Sequence, residues 1–221
     1  MILYGMRPSP FVRKVLFFAA EKGIVLELHP AGLGRGNETF EKASPFGKMP
    51  GFSDGDFTIS DSSAIIHYLE AKYPEPALIP AEPKARAQTI WFDEFADTIL
   101  FATGGKLFWN RIVAPKFMKI EGDAAIADAA ERDELPKLLA YLESVIPDSG
   151  FLVDDRLTLA DIAVASPFIN LAYCCPPVDA TTYPRICRWL SAMKARPAFA
   201  AVLEEEKPMI AGMADKPELV I

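Results

Sequence analysis

Between Tyr73 and Pro83 the chain carries four prolines, Pro74, Pro76, Pro80 and Pro83, with Ala77, Leu78 and Ile79 among them. Proline fixes φ and has no N–H to donate, so this stretch can be neither a helix interior nor a central strand. The pattern of apolar residues changes across it. Short alternating runs and helical stripes interleave before it, whereas only helical spacing follows. The expected organisation is a mixed domain over residues 1–75, a linker over 76–84, and an all-helical domain over 85–221.

The first half reads as strand, helix, strand, helix, strand, strand, helix. Ile2-Leu3-Tyr4 is a short buried strand. Phe11 to Lys22 follows with a stripe of Val12, Val15, Leu16 and Ala19, Pro10 suiting its first turn and Ser9 its start. Ile24 to His29 alternates as a second strand. Gly32-Leu33-Gly34-Arg35-Gly36 lacks the Lys-Ser or Lys-Thr of a phosphate loop and the spacing of a dinucleotide fingerprint, and reads as a connection to a short helix, Glu38 to Ala43. Lys48-Met49-Pro50-Gly51-Phe52 starts a strand, Asp54-Gly55 turns it, Phe57-Thr58-Ile59 returns, and Ala64 to Tyr73 is helical. This β-α-β-α-β-β-α order is a thioredoxin-like arrangement.

In the second half Ala87, Ile90, Trp91, Phe95, Thr98 and Ile99 form one stripe. Pro115 is expected to end or kink the helix through Ile112 to Met118, and Pro136 to kink or divide one from Asp123 to Val145. Thr158-Leu159-Ala160-Asp161 is a capping box opening a nearly all-apolar, hence central, helix to Tyr173 that contains Pro167. Ile186, Trp189, Leu190 and Met193 mark another helix. The tail after Pro208 lacks periodicity, so it is expected either to cover a site or to fray.

Composition narrows the function. A net charge of −7 with no long basic run argues against nucleic acid or an anionic membrane as partner. Three cysteines, two adjacent at Cys174-Cys175, form no disulfide framework or zinc pattern, so inert buried thiols are expected. With only His29 and His67 as histidines, no metal is expected. Neither a signal peptide nor an apolar stretch of membrane-spanning length is visible, so a cytoplasmic protein is expected.

Several groups converge on one small volume. A strand-opening Pro50, best placed if the Met49–Pro50 bond is cis, leaves the Met49 backbone exposed. Asp61 and Ser62 stand where the following strand gives way to a helix, whose first N–H groups are partly positive. One backbone edge, one carboxylate, one hydroxyl and one helix N-terminus together suit a short zwitterionic peptide.

Pro45-Phe46-Gly47-Lys48-Met49-Pro50 and Asp61-Ser62-Ser63-Ala64-Ile65 resemble the glutathione-binding half of the cytosolic glutathione transferases. Phe151-Leu152-Val153 and Trp189 through Arg196-Pro197-Ala198-Phe199 resemble that family's helical second domain. The resemblance, closest to serine-type, bacterial-like members, implies glutathione as co-substrate. Met49 before the cis-proline would pair with its cysteinyl backbone, and Asp61-Ser62 would hold its γ-glutamyl end. Asp61 departs from the commoner Glu or Gln, so its contact is expected to be direct but short-armed, or bridged by water. Lys48 is a candidate for the glycyl carboxylate, an exposed loop lysine being the alternative.

Such an enzyme must turn a thiol of pKa near ~8.5 into a thiolate, and lowering it by ~2 units takes about 2.7 kcal/mol. A hydroxyl donating to a charged acceptor supplies roughly 1.5–3 kcal/mol, and a helix N-terminus about 0.3–1 kcal/mol more. In Ser9-Pro10-Phe11-Val12-Arg13-Lys14-Val15, Ser9 resembles the catalytic serine of the family; capping the helix is its alternative role. Tyr4, where tyrosine classes carry their hydroxyl, is the rival donor, and otherwise a core tyrosine. Candidate walls for an apolar electrophile are Met6, Phe11, Phe101, Phe108, Trp109 and Tyr173, with Asn110 and Arg111 as nearby polar residues. Conjugation is the leading reading. The alternatives are a glutathione-dependent isomerase, dehalogenase or ether-cleaving lyase, and a non-catalytic glutathione-binding scaffold. Phe46 matches an aromatic that some classes insert into a second subunit, so the expected assembly is a homodimer.

Overall fold

The computed structural model describes residues 1–212. Four strands, β1 (Ile2–Tyr4), β2 (Glu27–His29), β3 (Gly51–Asp54) and β4 (Phe57–Ser60), form one sheet in the order β2-β1-β3-β4. β1 runs parallel to β2, and β3 is antiparallel to both β1 and β4. Helices α1 (Pro10–Glu21), α2 (Glu38–Ala43) and α3 (Ser62–Lys72) complete the thioredoxin-like half. β2 is shorter than the expected Ile24 to His29 because the three residues of β1 pair only with Glu27–His29. The hairpin turn is Gly55-Asp56, since Asp54 still pairs with Phe57, and Gly55 takes the positive φ of 63° that the turn requires. The Met49–Pro50 and Glu75–Pro76 bonds are cis.

The helical half begins with α4 (Pro83–Glu94) and continues through α5 (Phe101–Phe108), α6 (Ala124–Ala129), α7 (Leu135–Val145), α8 (Leu159–Cys174), α9 (Pro184–Ala195) and α10 (Pro197–Ile210). Three stretches of wider π-helical turn, Phe95–Leu100, Trp109–Met118 and Ala130–Glu134, connect α4 to α5, extend α5, and join α6 to α7. They answer two of the proline questions. Pro115 lies inside a π-helical stretch that continues to Met118, and Pro136 enters α7 in its first turn, just after another. The chain thus absorbs each proline by widening a turn rather than by stopping. α10 likewise passes through Pro208, and the tail beyond residue 212, expected to cover a site or fray, lies outside the described residues.

α8 is the axis of this half, buried along almost its whole length. Its capping box forms as the sequence implies: Thr158 Oγ1 accepts from the Ala160 N–H at 3.3 Å and Asp161 Oδ2 from the Thr158 N–H at 3.1 Å. Asp161 also accepts from Leu152 N and Trp189 Nε1, so one carboxylate ties the preceding loop and α9 to the start of α8. Burial outweighs these donors and pushes its carboxyl up to about 6. Through Pro167 the helix is held from outside. Arg13 Nη1 donates to the Ser166 carbonyl at 2.9 Å, and Ser166 Oγ donates to the Pro10 carbonyl at 2.7 Å. The halves share one continuous apolar core running from Leu3 and Phe52 through Phe168 to Ile210. No helix among the described residues is long and apolar enough to cross a membrane.

Candidate active site

A cleft of about 780 Å³ lies between the two halves. Its sheet-domain wall brings together Ser9, Lys48, Met49, Pro50, Asp61 and Ser62, residues from three separate loops. Each loop is placed by a local rule. Ser9 is the N-cap of α1 in extended conformation, its Oγ accepting from the Val12 N–H at 3.5 Å, with Pro10 in the first turn. Asp61 caps α3 by accepting from the Ala64 N–H at 3.0 Å, and does so at φ 81°, a backbone that few non-glycine residues adopt. Ser44 Oγ donates to the Lys48 carbonyl at 2.6 Å and so shapes the turn leading to Met49 and Pro50.

The Ser9 turn is gripped from the other domain. Asn170 Nδ2 donates to the Pro8 carbonyl at 2.8 Å, while Ser166 Oγ takes the Pro10 carbonyl. Both carbonyls flanking Ser9 are therefore anchored on α8. Arg13 lies fully buried beneath, donating twice to Glu206 at 2.6 and 2.8 Å and once to Asn170 Oδ1 at 2.6 Å. Nothing in the local sequence pattern singles out Arg13, Ser166, Asn170 or Glu206.

The floor beside Ser62 holds a second buried network. Lys14 Nζ donates to Asp93 Oδ1 at 2.7 Å, Asp97 Oδ2 at 2.6 Å and Ser63 Oγ at 3.1 Å. Ser62 Oγ donates to Asp97 at 3.3 Å. Burial pushes the Asp97 carboxyl up, and the Lys14 ammonium opposes it. One ammonium thus faces two acidic side chains at the cleft floor. Asp97, which lines the cleft, was not legible as a site residue, because acidic residues on a helix ordinarily mark its solvent face.

Met6, Phe11, Phe101, Phe108 and Trp109 form the apolar wall, joined by Ile112, Val113 and Phe117 from the wide-turned stretch after α5. The Phe11 and Phe101 rings meet edge to face across the two domains at 4.6 Å. Tyr173 is not on this wall. It is buried on the face of α8 that carries Ser166 and Asn170, where its hydroxyl donates to Glu206 at 3.0 Å, and burial raises its pKa. Tyr4 is likewise absent from the cleft. It is 3% exposed, with its hydroxyl 3.3 Å from Ser53 Oγ. Asn110 and Arg111 serve the helical domain: Asn110 accepts from Asp123 N, and Arg111 pairs with Asp128 and Glu131. Phe46 stands at the lip of the cleft, 90% exposed.

A thioredoxin-like domain docked on a helical domain, with a polar wall facing an apolar one across the cleft, is the architecture that frames the site. Residues 3–77 match the family model for the glutathione S-transferase N-terminal domain, and residues 106–197 that for the C-terminal domain. A glutathione S-transferase of Hyoscyamus muticus is 30% identical over 92% of this chain and 98% of its own length. Glutathione S-transferase 3 of Zea mays is 31% identical over 89% and 90%. Among solved structures, the glutathione-bound theta-class enzyme of Xanthomonas axonopodis pv. citri superposes with a TM-score of 0.78 at 27% identity, covering 90% of this chain and 95% of that one. Glutathione transferase F2 of Populus trichocarpa superposes at 0.81 and 25% identity, over 94% and 99%. The chain belongs to the glutathione S-transferase family.

Proposed function

We propose that the protein is a glutathione transferase in which the Ser9 hydroxyl donates to the glutathione thiolate and so prepares it to attack an apolar electrophile. The supporting observation is the state of Ser9. Its Oγ sits on the cleft wall at the start of α1 and, among the described residues, uses only acceptor capacity, toward Val12 N at a long 3.5 Å. The hydroxyl proton remains available to a thiolate. Hydroxyl and helix N-terminus together are worth about 2–4 kcal/mol, enough to lower a thiol pKa by ~2 units without a general base.

The rest of the peptide follows from the wall. The Met49 backbone, just ahead of Pro50, would pair with the cysteinyl residue. The start of α3 at Ser62 favours the γ-glutamyl carboxylate, while Asp61 and the acidic side chain of Asp97 favour its ammonium. Lys48, exposed on its loop, would meet the glycyl carboxylate. The electrophile would lie on Phe11, Phe108 and Trp109, on the opposite side of the thiol.

Calorimetry with glutathione, followed by ultraviolet titration of the bound thiolate, tests this reading. Ser9→Ala is expected to bind glutathione within a few-fold of wild type while raising the bound thiol's pKa by about 2 units, with turnover at neutral pH falling about tenfold or more. An unchanged thiol pKa in Ser9→Ala would remove Ser9 from the chemistry.

A further inference from the structure

A second recess opens at the far end of α8. It is an apolar cavity of about 210 Å³ that shares no lining residue with the cleft. Leu135, Leu139, Phe168, Leu171 and Val178 form its walls, and Cys175 stands on them. Cys174 is the last residue of α8 and Cys175 its C-cap, and their sulfurs are 3.8 Å apart. Both residues are free and part-buried, where the sequence context suggests full burial. Arg111 holds the pair from one side, donating to the Cys174 carbonyl at 3.0 Å and lying 3.8 Å from Cys175 Sγ. Cys174 Sγ donates to the Asn170 carbonyl at 3.3 Å, and the contact between the two sulfurs together with the guanidinium favours the thiolate at Cys175.

We propose that Cys174 and Cys175 form a binding site for a neutral trivalent organoarsenical, the arsenic bridging the two sulfurs and its apolar substituent entering the cavity. Two thiols suffice for such a ligand, whereas zinc and harder ions need more, and among the described residues no cluster of three or more His, Cys, Asp or Glu is arranged to hold one; a soft ion bound linearly by two sulfurs would need them farther apart than 3.8 Å. A disulfide would draw the sulfurs from 3.8 Å to about 2.05 Å and would need an external oxidant, neither of which bridging by one atom demands. In the binding step two S–As bonds form and the arsenical's oxide oxygen leaves as water, taking one proton from Cys174 and the other from Cys175 or, where that sulfur is already ionised, from solvent. Arsenic remains trivalent, so nothing is oxidised or reduced. A dry apolar cavity of roughly 150 Å³ accepts benzene, so this recess has room for a phenyl group. Glu131 and Asp179 also line it, which favours a neutral ligand over an anionic one.

Phenylarsine oxide and intact-mass spectrometry on the full chain test this proposal. Wild type is expected to retain one arsenical per chain in millimolar glutathione, a monothiol, and to release it to excess dithiothreitol. The adduct should protect Cys174 and Cys175, but not Cys187, from N-ethylmaleimide. Cys174→Ser and Cys175→Ser should each lose affinity at least tenfold with unchanged melting temperature, whereas Cys187→Ser should match wild type. Phenylarsine oxide should bind about tenfold more tightly than its methyl counterpart. No retention by wild type, protection centred on Cys187, or equal affinity in Cys174→Ser would overturn the dithiol site. Equal affinity for phenyl and methyl arsenicals would overturn the role of the cavity.

Discussion

Ser62 gives its hydroxyl proton to Asp97 at 3.3 Å, and Asp61 keeps its carboxylate at the exposed end of the same helix. Ser62 thus joins the cleft floor to α3, and in the proposed binding mode its hydroxyl oxygen and the Asp61 carboxylate both accept from the ammonium of glutathione. Alanine at position 61 would remove the cap and leave a β-carbon at φ 81° without the local bonding that Asp tolerates there. Asparagine keeps the capping oxygen and removes only the charge. The combined Asp61→Asn and Ser62→Ala variant is expected to weaken glutathione binding by more than a hundredfold, two contacts to a charged group at roughly 1.5–3 kcal/mol each, with its melting temperature nearly unchanged. Wild-type affinity in calorimetry would show that the γ-glutamyl end lies elsewhere.

At the scale of elements, α8 does more than fill the core. It fixes the carbonyls on both sides of Ser9 through Asn170 and Ser166, neither of which lines the cleft. A hydroxyl must be held within a few tenths of an ångström to matter to a thiolate, so loosening that grip should be felt in the chemistry. Ser166→Ala and Asn170→Ala are expected to raise the pKa of bound glutathione by a fraction of a unit to one unit and to lower kcat several-fold, while KM for glutathione changes little. A Ser166→Thr variant, which keeps the hydroxyl, should recover much of the loss. Melting temperatures that fall while the thiol pKa stays constant would assign both residues to stability alone. The wide turns on either side of α5 act at the same scale: they carry Asp97, Ile112, Val113 and Phe117 to the cleft.

For the whole molecule, the two halves form one unit. The Phe17 and Phe199 rings stack at 3.8 Å between α1 and α10, and the buried Arg13–Glu206 pair joins the same helices. This leaves Phe46 unexplained within one chain, a large aromatic 90% exposed on a loop beside the cleft. Its exposure makes a partner surface the natural destination, and a two-fold dimer would bury two copies at once. Each buried Phe is worth about 1.5–3 kcal/mol, so Phe46→Ala is expected to weaken a homodimer by more than a hundredfold. Sedimentation over a concentration series measures this directly, and a wild type that is monomeric at micromolar concentration would end the proposal.

What the sequence determined by itself was local. Period and proline placement specified the strand and helix order, Ser9, Asp61 and Thr158 marked helix starts, and Met49-Pro50 with Asp61-Ser62 marked the polar wall, because each depends on residues a few positions apart. Tertiary structure alone decided the rest. Arg13 and Lys14 carry no local mark of an interior position on α1, yet both are buried, since a charge can be buried only where partners meet it. Those partners, Glu206 at 193 positions away and Asp93 at 79, have no signature in the neighbourhood of α1. Tyr173 faces Glu206 rather than the cleft for the same reason: α8 is apolar all round, so its sequence carries no stripe to say which face meets which neighbour.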